Sequence, residues 1–124
     1  MKGESKGDYI SDIHHALRTR RRRLAVKLLH QLPQESMTTR ELAREIAAVD
    51  QDVPIEQAAG EPHRNVYNAL SQTHLPTLSD ANIIIYDRDR QQVYDGPELD
   101  IAALLVAVSE PMVNTLRSEE SDSA

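Results

Sequence analysis

The chain has no cysteine, no tryptophan and no phenylalanine. Without cysteine there can be no disulfide framework, no thiolate zinc site and no thiol nucleophile. Aromatic residues make up only 3% of the chain, all of them tyrosine. The core must therefore come from Leu, Ile, Val and Ala, a composition that favours helices packed on helices over a β-sandwich. Long apolar runs are also missing. The longest, Ile101 to Val108, falls far short of the roughly 20 residues that span a bilayer. Residues 1–12 are polar and charged and do not read as a signal peptide. The expectation is a soluble, cytoplasmic protein with no membrane partner.

Catalytic and metal-binding patterns are equally scarce. The five histidines are His14, His15, His30, His63 and His74, and no pair has the spacing on one helical face that a metal site needs. Nucleophile elbows, phosphate-loop motifs and paired catalytic carboxylates do not occur. The sequence thus predicts no metal, no cofactor and no enzyme. His74 falls between an apolar and a polar helix face, where a packed, hydrogen-bonded role is expected.

What the chain does have is an uneven distribution of charge. The net charge is −6. Residues 1–50 hold ten Lys and Arg against seven Asp and Glu, whereas residues 51–124 hold four against thirteen. Arginine outnumbers lysine eleven to three, and the acidic excess suggests a salt-adapted source. Overall charge does not decide whether such a chain binds nucleic acid; local patches do.

With 124 residues there is room for one compact domain and a terminal element. Residues 1–9 read as a flexible tail, 10–96 as the domain, 97–117 as a further helix, and 118–124 as a disordered tail. Ser11 and Asp12 can cap a short helix carrying Ile13 and Leu17. A break near Thr19 starts a second helix, with Leu24, Ala25, Leu28, Leu29 and Leu32 in its apolar stripe, ending before Pro33. Ser36-Met37 is a short extended link. Thr38 and Glu41 then form a capping box for a helix whose buried stripe is Leu42, Ala43, Ile46, Ala47 and Val49. Asp50 to Gly60 is a longer connection with one helical turn around Ile55–Ala59.

The next helix opens near Glu61-Pro62 and runs to about residue 74. Projected at about 100° per residue, Val66, Leu70 and Thr73 share one side, and Arg64, Asn68, Ser71 and Gln72 share the other. Pro76 kinks or restarts it. Residues 83–86 and 91–94 then read as two strands joined by Asp87-Arg88-Asp89-Arg90, stopped by Asp95-Gly96-Pro97. A last helix from about Glu98 carries Leu99, Ile101, Leu104, Leu105 and Val108. The fold class is mainly α with a small β-hairpin: a winged helix-turn-helix with an additional C-terminal helix.

Three segments carry a family likeness. They are Arg20-Arg21-Arg22-Arg23 with Leu42-Ala43, then Val66-Tyr67 through Thr73-His74-Leu75-Pro76-Thr77-Leu78, then Ile85-Tyr86-Asp87 before Val93. Together they resemble a family of small winged-helix (helix-turn-helix) proteins, largely uncharacterised and common in haloarchaea, over roughly residues 10–95. The resemblance implies a winged-helix fold and a regulatory role. It carries no contact residues with it, so the candidate sites rest on helix geometry.

The face Arg64, Asn65, Asn68, Ser71 and Gln72 offers the chemistry of base readout. Arg pairs bidentately with guanine and Asn or Gln with adenine, while Ser reaches bases or phosphates. A merely solvated face would be richer in Glu and Lys. Arg20, Arg21, Arg22 and Arg23 oppose the macrodipole of their own helix at roughly 0.3–1 kcal/mol each. They either contact phosphates or pair with nearby carboxylates. Thr39 and Arg40 stand where a helix N-terminus meets phosphate, and Arg88 and Arg90 crown the wing, blunted by Asp87 and Asp89.

The last helix is apolar nearly all round and must be buried on more than one side. A small domain cannot do this alone, so Leu99, Ile101, Leu104, Leu105, Val108 and Met112 are expected to form a twofold dimer interface. The expected partners are double-stranded DNA and a second copy, with the helix 62–74 in the major groove. The alternative is a winged-helix protein-interaction adaptor without direct DNA binding, which the acidic second half favours because it would repel DNA.

Overall fold

A computed structural model describes the backbone of residues 6–32 and 36–109, with side chains from Ile10 onward. Helix α1 (Lys6–Ala16) is followed by α2 (Arg20–Gln31), strand β1 (Ser36–Thr38) and helix α3 (Thr39–Gln51). After a single 3-10 turn (Ile55–Gln57), α4 (Gly60–Ala69) passes into a π turn (Leu70–His74) and then α5 (Leu75–Asp80). Strands β2 (Ile84–Asp87) and β3 (Gln92–Asp95) form a hairpin, and α6 occupies 99–109. The architecture is mainly helical with a small antiparallel sheet and a C-terminal helix, in a winged helix-like arrangement. Helix α1 begins earlier than the Ser11–Asp12 cap predicted, inside what reads as a tail.

Local chemistry sets the helix starts. Thr19 is extended, and its hydroxyl accepts from the Arg22 N–H, which opens α2. The Thr38 hydroxyl accepts from the Glu41 N–H at 3.0 Å. The Glu41 carboxylate accepts from the Thr38 N–H at 2.9 Å in return, so the predicted capping box is present. Helix α3 ends on Asp52, in a left-handed conformation with φ 55.

The short link at Ser36-Met37 is more than a link. It is an edge strand of a three-stranded sheet ordered β1-β3-β2, with Met37 opposite Val93. Alternation puts both of those side chains in the core. Gly96 then turns the chain toward α6 against the backbone of residues 82–84. A Cβ added there would stand 2.6 Å from the Asn82 carbonyl oxygen and 2.7 Å from Ile84 N. The glycine is required by this close approach.

The core joins Ile13, Val26, Leu29, Leu42, Ile46, Leu70, Leu75, Leu78, Ile83 and Val93. Two positions depart from the expected stripes. Val49 is exposed on α3, with Ala48 buried in its place. Thr73 is exposed rather than sharing the apolar side of Val66 and Leu70, because the π turn rephases the helix. The Leu75 N–H donates to the Leu70 carbonyl five residues back, so the buried stripe runs Val66, Leu70, Leu75, Leu78. Pro76 lacks the N–H that would meet the Gln72 carbonyl, and its ring crowds that carbonyl; a wide turn just before it accommodates both.

Candidate nucleic-acid interface

Helix α4 packs against α3 through Val66 and the π turn through Leu70, both buried, and this fixes which side α4 presents outward. Arg64, Asn65, Asn68 and Gln72 are exposed. From Pro62 to Ser79 the chain holds no carboxylate, in a sequence with 20 Asp and Glu. Ser71 departs from its predicted place. It is half-buried, and its hydroxyl bonds back to the Tyr67 carbonyl at 3.1 Å and the Asn68 carbonyl at 3.3 Å. Its donor is thereby used within the helix.

The arginine run is engaged by the fold. Arg20 pairs with Asp50 at 2.8 Å and Arg21 with the same carboxylate at 3.2 Å. Arg22 is 7% exposed; its Nε donates to the Ala16 carbonyl at 2.7 Å. Arg23 donates to the carbonyls of Leu17 at 2.9 Å and Arg18 at 3.1 Å. Arg22 and Arg23 therefore satisfy the open carbonyls at the end of α1 and complement its dipole. That offsets the cost of placing cations at the start of α2. Burial, and then the Arg18 charge, lowers the Arg22 pKa. The arginines most suited to phosphate by sequence are thus tied to α1 and to Asp50.

Thr39 is fully buried, which removes it from any outward contact. Its N–H donates to the Gln91 carbonyl at 3.0 Å and so ties the tip end of the hairpin, just before β3, to α3. Among the described residues its hydroxyl oxygen has no hydrogen-bond partner. Arg40, next along, is exposed.

At the hairpin tip the Asp87 carboxylate accepts from the Arg90 N–H at 3.1 Å. Gln91, with φ 53, donates to the Arg88 carbonyl at 3.0 Å and accepts from Tyr86 Oη at 2.9 Å. Asp87 acts here as a turn residue, while Arg88, Asp89 and Arg90 are exposed.

Sequence reading missed a cleft between α3 and α4. It has a volume of about 330 Å³ and is lined by Arg40, His63, Arg64, Tyr67 and Asn68. The His63 ring lies with Nε2 at 3.2 Å from the Arg40 carbonyl; a carbonyl only accepts, so Nε2 carries the hydrogen. Only the spacing His63, Tyr67 on one face of α4 could have hinted at it. Among the described residues no cluster of His, Asp or Glu could hold a metal ion, and no helix is long and apolar enough to cross a membrane.

The candidate dimer helix divides in two. Leu99, Ala102, Ala103 and Val106 are buried in the chain's own core, at the i, i+3, i+4, i+7 spacing of one face. Leu99 therefore faces inward and is not free for a partner, and Leu105 packs partly against the same core. Ile101, Leu104 and Val108 remain 39%, 62% and 66% exposed. Met112 and the predicted tail lie outside the described residues.

No curated protein and no solved structure matches this sequence. A family does, over residues 14–94, which takes in α2 to α5, the cleft and nearly all of the hairpin, and leaves out α6 and most of α1. The chain belongs to the family described as a domain of unknown function, DUF7344.

Proposed function

We propose that this protein is a sequence-specific DNA-binding transcription regulator of the winged-helix type, acting as a homodimer and without catalysis. The observation that carries the reading is the exposed polar face that runs from α4 into the π turn, with Arg64, Asn65, Asn68 and Gln72 and a single acid, Glu61, in the first turn of the helix. Amide side chains of this kind read adenine edges in the major groove. Arg88 and Arg90 at the hairpin tip reach the flanking backbone. The stripe Ile101, Leu104, Val108 pairs with itself across a twofold axis and sets two α4 helices roughly 34–36 Å apart on successive grooves.

A recognition face built of amides suits a salt-rich source, such as a haloarchaeon. Each phosphate contact lowers log K by about 0.9 per decade of salt, whereas base-edge hydrogen bonds do not release counterions. Replacing Asn68 with Ala should relax base preference in a gel-shift series on single-position operator variants. Unchanged preference for both N68A and Q72A would sink the assignment of α4.

A protein-interaction adaptor is the second reading, favoured by one observation. Ile85 and Tyr94 face each other across the hairpin and are 55% and 37% exposed. Loss of partner binding in I85S, with no DNA binding by the parent chain, would decide for it.

A further inference from the structure

Arg40 on α3 and Arg64 on α4 line the same cleft. Neither guanidinium has a hydrogen bond or ion pair among the described residues, although Arg20 and Arg21 find Asp50. Among the described residues no carboxylate lines the cleft; its other walls are His63, Tyr67 and Asn68. Two cations around one void repel each other unless an anion lies between them. His63, bonded to the Arg40 carbonyl, ties the start of α4 to the start of α3, the two segments that carry the arginines.

We propose that this cleft is a receptor for a phosphate group. The two guanidinium forks supply charge and paired donors in the geometry that phosphate oxygens accept. The Asn68 amide adds a neutral donor, and Tyr67 closes the wall. The group is either a diester of a DNA backbone or the phosphate of a small molecule. Only the first source rests on the DNA-binding reading. The assignment places Arg64 on phosphate rather than on a base edge, and keeps for Arg40 the phosphate contact that its place at the start of α3 suggested, without Arg20 to Arg23.

The test has two arms on the full chain. In the first, affinity for duplex DNA is measured against potassium chloride for the parent, R40A, R64A and R40K, with circular dichroism confirming the fold of each. Each alanine variant should flatten the slope of log K against log salt by about 0.9 and weaken all sequences alike, and R40K should keep the parent slope. In the second arm, inorganic phosphate, and sulfate as a control anion, are titrated into the protein alone, and the amide NMR signals of residues 40, 63, 64 and 68 are followed.

Flattened slopes without a phosphate response identify the DNA backbone as the source. Saturating shifts that R40A abolishes, with no change of slope or no DNA binding at all, identify a small phosphorylated molecule. The cleft assignment then survives even where the DNA reading fails. Unchanged slopes together with no saturable phosphate response overturn the proposal.

Discussion

Arg22 Nη1 lies 3.3 Å from Nδ1 of His74, while Arg22 Nε donates to the Ala16 carbonyl. One side chain therefore links the end of α1 to the π turn that follows α4. A guanidinium can only donate, so His74 accepts at Nδ1 and its ring is neutral in this contact. Burial, and then the charges of Arg22 and Arg21, hold His74 below the ordinary histidine value of 6.5.

The contact makes stability depend on pH. A histidine whose folded pKa is lowered binds its proton first in the unfolded chain, so acid favours unfolding. Its effect is absent above the unfolded value near 6.5 and grows as pH falls below that toward the lowered folded value. Urea denaturation across this window should show falling stability in the parent and a flatter profile in H74Q. Equal slopes in both would remove His74 from the account.

Arg22 and Arg20 lie two residues apart in sequence but should differ in effect. R22A leaves the buried Ala16 carbonyl without its charged partner and should cost about 1–3 kcal/mol. R20A breaks an exposed ion pair and should cost under about 1 kcal/mol. Thermal or chemical denaturation of the two variants checks the order.

These two arginines also show what the sequence made legible and what it did not. The caps at Thr19 and Thr38 could be read because donor and acceptor lie three residues apart. The hairpin could be read because its turn and alternation are local. The partners of the arginine run could not, since Asp50 and His74 lie on other helices. Nor could the pairing of Ser36 with Tyr94, which joins strands distant in sequence. Pro76 announced a disturbance, but a kink and a π turn share that signal, and only the second moves Thr73 outward. The candidate polar face was half legible: Arg64, Asn65, Asn68 and Gln72 are exposed, as periodicity expects. Ser71 instead bonds back to its own helix, and Thr39 is buried.

Thr39 offers a counterintuitive case. Its buried hydroxyl has no partner, so the folded state already bears the cost of removing it from water. T39V keeps the shape and removes the polar atom; stability should stay within about 1 kcal/mol of the parent or rise. DNA affinity should not change. A loss of several kcal/mol would show that the hydroxyl is bonded in solution.

Gly96 is the opposite case. G96A places a Cβ against backbone atoms of Asn82 to Ile84, which cannot swing aside as a side chain would. A loss of about 1–3 kcal/mol is expected from overpacking of this kind, read by denaturant midpoint. Parent-like stability would mean that the strand β2 and the Gly96 turn are less closely apposed.

The two faces of α6 separate folding from assembly. L104D changes an exposed stripe residue and should shift the protein from dimer to monomer in size-exclusion light scattering without unfolding it. A103D buries a charge in the core and should unfold the domain. A monomeric parent would end the dimer reading.

The most direct measurement of the central claim is selection of the full chain on a randomised duplex pool, in low and in molar potassium chloride. The account predicts enrichment of a twofold-symmetric site that persists at molar salt, with base preference relaxed in N68A and Q72A. No enrichment at either salt would contradict it and leave α4 as a surface for some other partner.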